Sequence, residues 1–436
     1  MRFGIIGSGI AGLTAAWALD RSGHDVDLFE CGSSLGMAAQ TVDLNLDDKV
    51  RVGDVPSRMF NRLQWPNLCL LYDLLGVDTM PVEPSQTFSH LHGPVYLRLK
   101  NAYRAKLDRN FLLDRTVRKL LKTAAELKSA GVRDLAAGLP SDLTLGSYLS
   151  NSGVSRDFIS DFLYPTLSST VCTCSYASLD AYPASIILQA LRELTADGET
   201  LLKTTHGTRD VVNRLVSGNL ATRLNTRVHQ IDAQPTGPVD LKLQLPDGRM
   251  QTETFDHVVV STQANHARDL LNERSAEDRE ILAMFDYESI PVVVHLDSRL
   301  MPPRRGHWGT FNMISERDPQ PAAMCTVLMN QFHSDWQMPS PAVFQTINPI
   351  LEPDPGKVIQ TAVLQRPLVN RHSQVAWERL SAAMLRPGRR IWFCGSYAVA
   401  GVPLLETGVV SAVNVLQALD VELPFTDRDL AASSQR

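Results

Sequence analysis

Short apolar runs at positions 2–6 and 25–29 flank a segment, 13–22, whose alanines and apolar residues recur at helical spacing. Runs of that length between turn residues read as buried strands, and the middle segment as a helix lying on them. Between strand and helix stands Gly7-Ser8-Gly9-Ile10-Ala11-Gly12. Gly23 ends the helix and Glu30 closes the second strand. In a unit of this order Gly7 permits the tight turn, Gly9 lets the backbone approach a pyrophosphate, and Gly12 lets helix and strand pack closely. Ile10 and Ala11 open the helix, whose free N–H groups and positive dipole end suit phosphates. Glu30 is placed to accept hydrogen bonds from an adenosine ribose. The stretch as a whole predicts dinucleotide binding.

The rest of the chain alternates between two characters. Helices are expected over 68–75, 101–130 (with a basic outer face at Arg115, Arg118, Lys119 and Lys122), 143–149, 158–167 and 184–194, and short strands over 77–99. Residues 31–54 read as a loop-rich connection. From His206-Gly207-Thr208 the pattern returns to that of the N-terminus: a short helix to Val216, strands at 226–231 and 241–245, a turn at 246–249 and one buried strand at 255–262. Helices at 265–271 and 278–284 follow, then strands at 290–296, 309–313, 324–330 and 358–364 with no helices between them, which predicts an antiparallel sheet. A strand at 390–394 and a helix at 407–419 restore the first character. The expected fold class is α/β: a discontinuous Rossmann-like nucleotide domain (1–76, 206–270 and 388–422) and an α+β substrate domain (77–205 and 271–387), with a polar tail at 423–436.

Composition narrows the class. A chain of 436 residues exceeds one ordinary core. A net charge of −5 gives no reason to expect nucleic-acid binding. No apolar run reaches the length of a membrane span, and the first strand begins at once, so a cytoplasmic protein is expected. Six scattered cysteines fit free thiols in a reducing compartment, and Cys172-Thr173-Cys174 lacks the partners of a zinc site, so no metal is expected. The anticipated partner is an apolar small molecule, with a homodimer as a further possibility.

A nucleotide domain that recurs in the last fifty residues distinguishes the chain from nicotinamide dehydrogenases. On the N-terminal fingerprint ending in Glu30, on Arg227-Val228, on 256–262, and on Phe393-Cys394-Gly395-Ser396 with Glu406-Thr407-Gly408-Val409-Val410-Ser411, it resembles the flavin-dependent amine oxidase superfamily. The resemblance implies FAD. It implies a backbone contact to the flavin adenine at Val228 and a helix N-terminus at Ser396, Gly408 and Val409 facing the pyrimidine ring, where reduced flavin is negative. It adds Gln40, Arg58 and Met59 as cofactor contacts. The chain departs from the family pattern at Met37, which replaces a loop glycine, and at Ala38 and Ala39, where an arginine is common. Arg51 replaces an acid, and 400–404 lacks the family's flavin-facing aromatic residue.

Within the superfamily the chain most resembles macrocycle-forming amine oxidases. That resemblance implies oxidation of the C–N bond of a polyketide–peptide amide to an N-acyl imine, which closes a large ring by an intramolecular Mannich reaction. It also implies a carboxylate base just before Trp65-Pro66 and a tyrosine at Tyr182-Pro183. This chain has Tyr182 but Gln64, which keeps the shape of Glu without its basicity. Two readings of Gln64 stay open: a Glu-to-Gln variant of the base, or a helix-capping residue outside the chemistry. Tyr182 is read either as a catalytic group or as a core tyrosine. The alternatives for the whole protein are a flavin-dependent isomerase or desaturase of unsaturated lipids, and a non-catalytic flavin-binding partner.

Overall fold

The computed structural model describes residues 1–46, 49–101, 106–194, 200–233, 237–316, 322–332 and 341–421. The expected tail at 423–436 lies outside them.

The N-terminal unit consists of strand β1 (Arg2–Ile6), helix α1 (Ile10–Arg21) and strand β2 (Asp25–Phe29). β1 sits at the centre of a five-stranded, wholly parallel sheet, in the order Ala221–Arg223, β2, β1, His257–Val260, Ile391–Phe393. Strands covered on both faces need apolar residues throughout, and Phe3, Ile5, Leu28 and Val258 to Val260 are buried accordingly. α1 is buried from Ile10 to Leu19, with the C-terminal helix Leu405–Ala418 packed against it.

The sequence read 255–262 as one strand, and the structure divides it. Met250–Phe255 pairs antiparallel with Val239–Gln244 in a separate three-stranded sheet, and His257–Val260 enters the parallel one. Asp256 marks the break, its carboxylate accepting the Arg2 backbone N–H at 2.7 Å. A single apolar run therefore serves two sheets.

The second layer is an eight-stranded sheet in the order Val358–Pro367, Tyr287–His295, Phe344–Ile347, Ala322–Leu328, Phe311–Glu316, Gln86–His90, Val95–Asn101, Lys106–Leu107. Every pair is antiparallel except Phe311–Glu316 with Gln86–His90, so the sheet is mixed rather than purely antiparallel.

Four further differences from expectation follow. The helix expected over 101–130 is Arg115–Ala137, because the Asp114 carboxylate caps the N–H groups of Thr116 and Val117. It runs through Gly131, where a Cβ would lie 2.9 Å from Leu188 Cδ2, so this glycine permits close helix packing instead of ending the helix. The 31–54 connection carries a hairpin, Val42–Leu46 with Lys49–Gly53. A helix not anticipated, Arg371–Met384, is capped by reciprocal bonds between Asn370 and Ser373. The helical run starting at Arg156 is wider than expected: two π turns, Ile159–Leu163 and Leu167–Val171, flank Pro165, and the second brings Ser169 to Val171 to the cavity described next.

Candidate active site

The glycine turn is dictated by contact distances. Gly7 has φ +99°, and a Cβ on Gly12 would stand 2.1 Å from Gly7 O and 2.2 Å from Ser261 Oγ. Gly9 faces open space, with nothing within 4 Å of a built Cβ. α1 starts behind Gly9 without a side-chain cap, which leaves its first N–H groups for a ligand. The Glu30 carboxylate accepts the Ser8 hydroxyl, the Ser8 N–H at 3.3 Å and the Gly32 N–H at 2.8 Å. Ser8 Oγ in turn accepts the Gly36 N–H at 2.6 Å, tying the loop over the turn. Backbone bonds join Glu30 to Arg223 and Thr226, beside buried Val228.

Beyond the turn lies a cavity of about 500 Å³. Its walls are the glycine turn, residues 56–59, Gln64 and Trp65, the helix end at 169–173, and the turns at 395–397 and 403–405; its floor is the large sheet, including Phe311, Gln345, Ile347 and 363–367. Of the residues singled out from the sequence it gathers Gly9, Ile10, Ala11, Arg58, Met59, Gln64 and Ser396. Gly7, Gly12 and Glu30 stand behind the turn. Gln40 O accepts Gln360 Nε2 at 2.9 Å, away from the cavity lining. Gly408 packs on α1, where a Cβ would meet Ile10 Cγ2 at 2.6 Å, and Val409 is buried in the same core. Tyr182 does not line the cavity: it is 1% exposed, its hydroxyl faces the Cys172 thiol, and burial raises its pKa well above the ordinary tyrosine value. Tyr182 therefore stands behind the wall that Val171 and Thr173 form.

Five residues of the lining carry buried polar atoms without a hydrogen-bond partner: Gln64 Oε1, Gln263 Oε1, Gln345 Nε2, Arg366 Nε and Tyr397 Oη. Each costs about 1–3 kcal/mol if left unmet, so the cavity is shaped for a ligand bearing several polar groups. An amide's two ends are told apart by their partners, and Gln345 Oε1 accepts the Ser57 N–H at 3.1 Å, which leaves its NH₂ as the unpartnered end. Sequence reasoning missed Gln263, Gln345 and Arg366, since lone polar residues in strands and turns carry no motif. It noted the lack of an aromatic residue at 400–404, yet Trp65, Tyr287, Phe311 and Tyr397 supply aromatic walls from other segments. Tyr397 is held edge-on against Phe285, ring centroids 5.0 Å apart.

An adjoining recess shares Gln64, Trp65 and Leu404 with the cavity and holds Glu193 and Glu406. Burial raises the pKa of both carboxyls. Glu406 accepts Asn67 N–H (3.1 Å), Asn67 Nδ2 (2.6 Å) and Leu68 N–H (2.8 Å), and so caps the helix Pro66–Leu74. Three further polar side chains lie away from the cavity lining. His295 Nε2 lies 2.7 Å from Thr346 Oγ1 inside the sheet, Trp308 donates to Pro302 O at 2.8 Å, and burial pushes the Cys394 thiol up to about 12. Among the described residues no group of His, Cys, Asp and Glu is placed to hold a metal ion, and no helix is long and apolar enough to cross a membrane.

A parallel sheet bearing this turn, joined to a large sheet across a mainly apolar cavity with a few buried polar atoms, defines a flavoprotein oxidoreductase fold. The family model for flavin-containing amine oxidoreductases matches residues 10–310, and the chain belongs to that family. Its cofactor is FAD, and the open face of Gly9 and the uncapped helix start fit such a group. Among solved structures the chain is similar to a putative protoporphyrinogen oxidase from Exiguobacterium sp. 255-15 (17% identity, TM-score 0.63, covering 96% of this chain and 98% of that one). It is similar to a CLA-producing fatty acid isomerase from P. acnes (12%, 0.66, 95% and 98%). A third likeness is cyclohexylamine oxidase from Brevibacterium oxydans IH-35A (15%, 0.62, 96% and 99%). At these identities the likenesses describe the fold. The search of curated proteins finds no match.

Proposed function

We propose that the protein oxidises the C–N bond of an N-acyl amine in a large apolar polyketide–peptide, giving an N-acyl imine that closes a macrocycle by an intramolecular Mannich reaction, as in lankacidin cyclase. The observation that carries this reading is the buried, unpartnered Gln64 carbonyl in an aromatic-walled cavity beside the glycine turn.

The chemistry that bound FAD would supply is acceptance of a hydride equivalent from the carbon beside nitrogen. Gln64 Oε1 accepts a hydrogen bond from the substrate N–H and so orients the adjacent C–H. It does not take the proton that nitrogen must lose for an acyl imine to form, so in this chain that proton passes to solvent and the step is slow. A glutamate there would serve as the base for this step, or for removing the proton between ketone and lactone carbonyls before ring closure. The apolar walls exclude water from the imine. Tyr182 acts from behind the wall through the 171–173 segment, as a positioning residue.

On the cofactor side, Gly9, Ile10 and Ala11 meet the pyrophosphate, Glu30 the ribose and Val228 the adenine. Met59, Ser396 and the helix start at Leu405 lie along the flavin, with Gly408 and Val409 seating that helix on α1 and Gln40 bracing the loop. Arg58 stands in for the arginine missing at 38–39: its guanidinium reaches the same loop, donating to Met37 O at 3.2 Å and to Thr208 Oγ1 at 2.6 Å. The proposed domain division is 1–76, 206–270 and 388–422 for FAD, and 77–205 and 271–387 for substrate.

The test is anaerobic mixing of the holoenzyme with an acyclic N-acyl amide that carries a β-keto lactone. Flavin bleaching, hydrogen peroxide on admitting air, and a cyclic product two hydrogens lighter are expected. A flavin that stays oxidised with that substrate bound ends this reading. The apolar sheet floor also favours a second one, isomerisation of an unsaturated lipid, which turns over with no net oxygen uptake.

A further inference from the structure

The cavity floor carries two hydrogen-bond donors that nothing in the chain satisfies, and they stand at opposite ends. Gln345 is fully buried in the cavity floor, and the Ser57 N–H on its oxygen leaves its NH₂ as the unpartnered end. Arg366 is fixed by one bond, Nη2 to Cys172 O at 3.2 Å, and its buried Nε is unpartnered. Their separation follows from strand register. Both flank the strand Tyr287–His295: Arg366 is opposite Glu288, and Gln345 is opposite Val294. Six residues of β-strand span roughly 20 Å. The cavity floor between them includes Ile347 and Leu364.

We propose that Arg366 and Gln345 are paired anchors for a neutral, extended ligand with an apolar middle and a carbonyl oxygen near each end. This rests on the reading of the cavity as the substrate site and names the substrate class it takes. The ligand is neutral for two reasons. Gln345 is itself an uncharged donor. The cross-strand neighbour of Arg366 is Glu288, whose carboxylate accepts the Ser175 N–H at 3.1 Å and the Ser178 hydroxyl at 3.0 Å and offsets the guanidinium charge from beside it. An acyl chain with an amide at one end and a lactone or ester at the other has this pattern of acceptors. The spacing acts as a length filter, since a shorter molecule satisfies only one donor and leaves the other buried and unmet.

The experiment titrates FAD-saturated holoenzyme with a series of α,ω-alkane dimethyl esters of increasing length, read by perturbation of the flavin absorbance. Affinity is expected to peak at one length and fall on either side. Arg366→Met weakens the best diester about 10- to 100-fold, the range for a bond to a charged donor. Gln345→Glu keeps the acceptor for Ser57 but replaces the donor, and is expected to abolish the peak. The proposal is overturned if wild-type affinity rises with length without a maximum, if the maximum survives both substitutions, or if the matching dicarboxylates bind more tightly than the diesters. These probes contain no C–N bond, so their binding is decided separately from amide oxidation. Peaked binding without amide turnover ends the proposed reaction and leaves the paired anchors standing.

Discussion

The glycine turn and the sheet-floored cavity treat their polar groups in opposite ways. At the turn, the Glu30 carboxylate is held by Ser8 and Gly32 before any ligand arrives, and Ser8 braces the next loop. In the cavity, polar atoms of Gln64, Gln263, Gln345, Arg366 and Tyr397 have no partner. The cradle is preorganised by its own chain, so it holds its shape with or without cofactor. The cavity is completed by what it binds, and its selectivity comes from the cost of leaving those atoms unmet.

The largest expected effect is at Gln64. If the substrate end lacks only basicity, Gln64→Glu raises the rate of flavin reduction or of ring closure by about 10²–10⁴-fold with little change in affinity. Anaerobic stopped-flow reduction, with closure followed by mass and chromatography, separates the two steps. Unchanged rates for both make Gln64 a structural residue. Next comes a pair of glycines in the cradle. Gly12→Ala forces a Cβ onto Gly7 O and Ser261 Oγ and is expected to destabilise the fold by about 3 kcal/mol or more. Gly9→Ala meets nothing in the chain, so it should weaken FAD and spare stability. Denaturant unfolding of the two apoproteins decides it, and equal losses would show that the turn is not preorganised in the way described.

Glu30→Ala comes third. It removes a charged acceptor and is expected to loosen FAD by about 1.5–3 kcal/mol, measured by fluorescence titration of released flavin. Retention at the wild-type level means the carboxylate serves only Ser8 and Gly32. The smallest effect is in the large sheet. Burial lowers the His295 pKa to about 4, so the folded state takes up its proton later than the unfolded chain does. The stability this confers is whole above the unfolded value near 6.5 and is lost as pH falls toward about 4. From about pH 7 to pH 5.5 the loss from this residue is expected to be about 1 kcal/mol. Urea unfolding of wild type and His295→Gln at both pH values reads it: an equal fall in the two proteins assigns the acid sensitivity elsewhere, with His257 on the parallel sheet the next residue to examine.

What the residues alone determined lies close together in the chain. The order strand, glycines, helix, strand and acid is local, and each part answers to a backbone angle or a contact made within thirty residues, so β1, α1, β2 and the turn could be read directly. The later return of the same pattern marked strands at 255–262 and 390–394; within them 257–260 pairs with β1 and 391–393 pairs with 257–260. Residues whose meaning depends on a distant partner were not readable. The break at Asp256 depends on the N–H of Arg2 at the other end of the sheet's sequence span, whereas the helix start at Arg115 follows from its neighbour Asp114, a local cap that sequence reasoning missed. Tyr182 was visible as a candidate, but only packing put it behind the wall and Arg366 in front of it. A strand residue faces the cavity or the opposite side according to its register with its neighbours, and a shift of one position reverses every side chain. The tertiary structure therefore decided that Gln345 and Arg366 share one face of the sheet, because that choice was made by strand pairing between segments far apart in the chain.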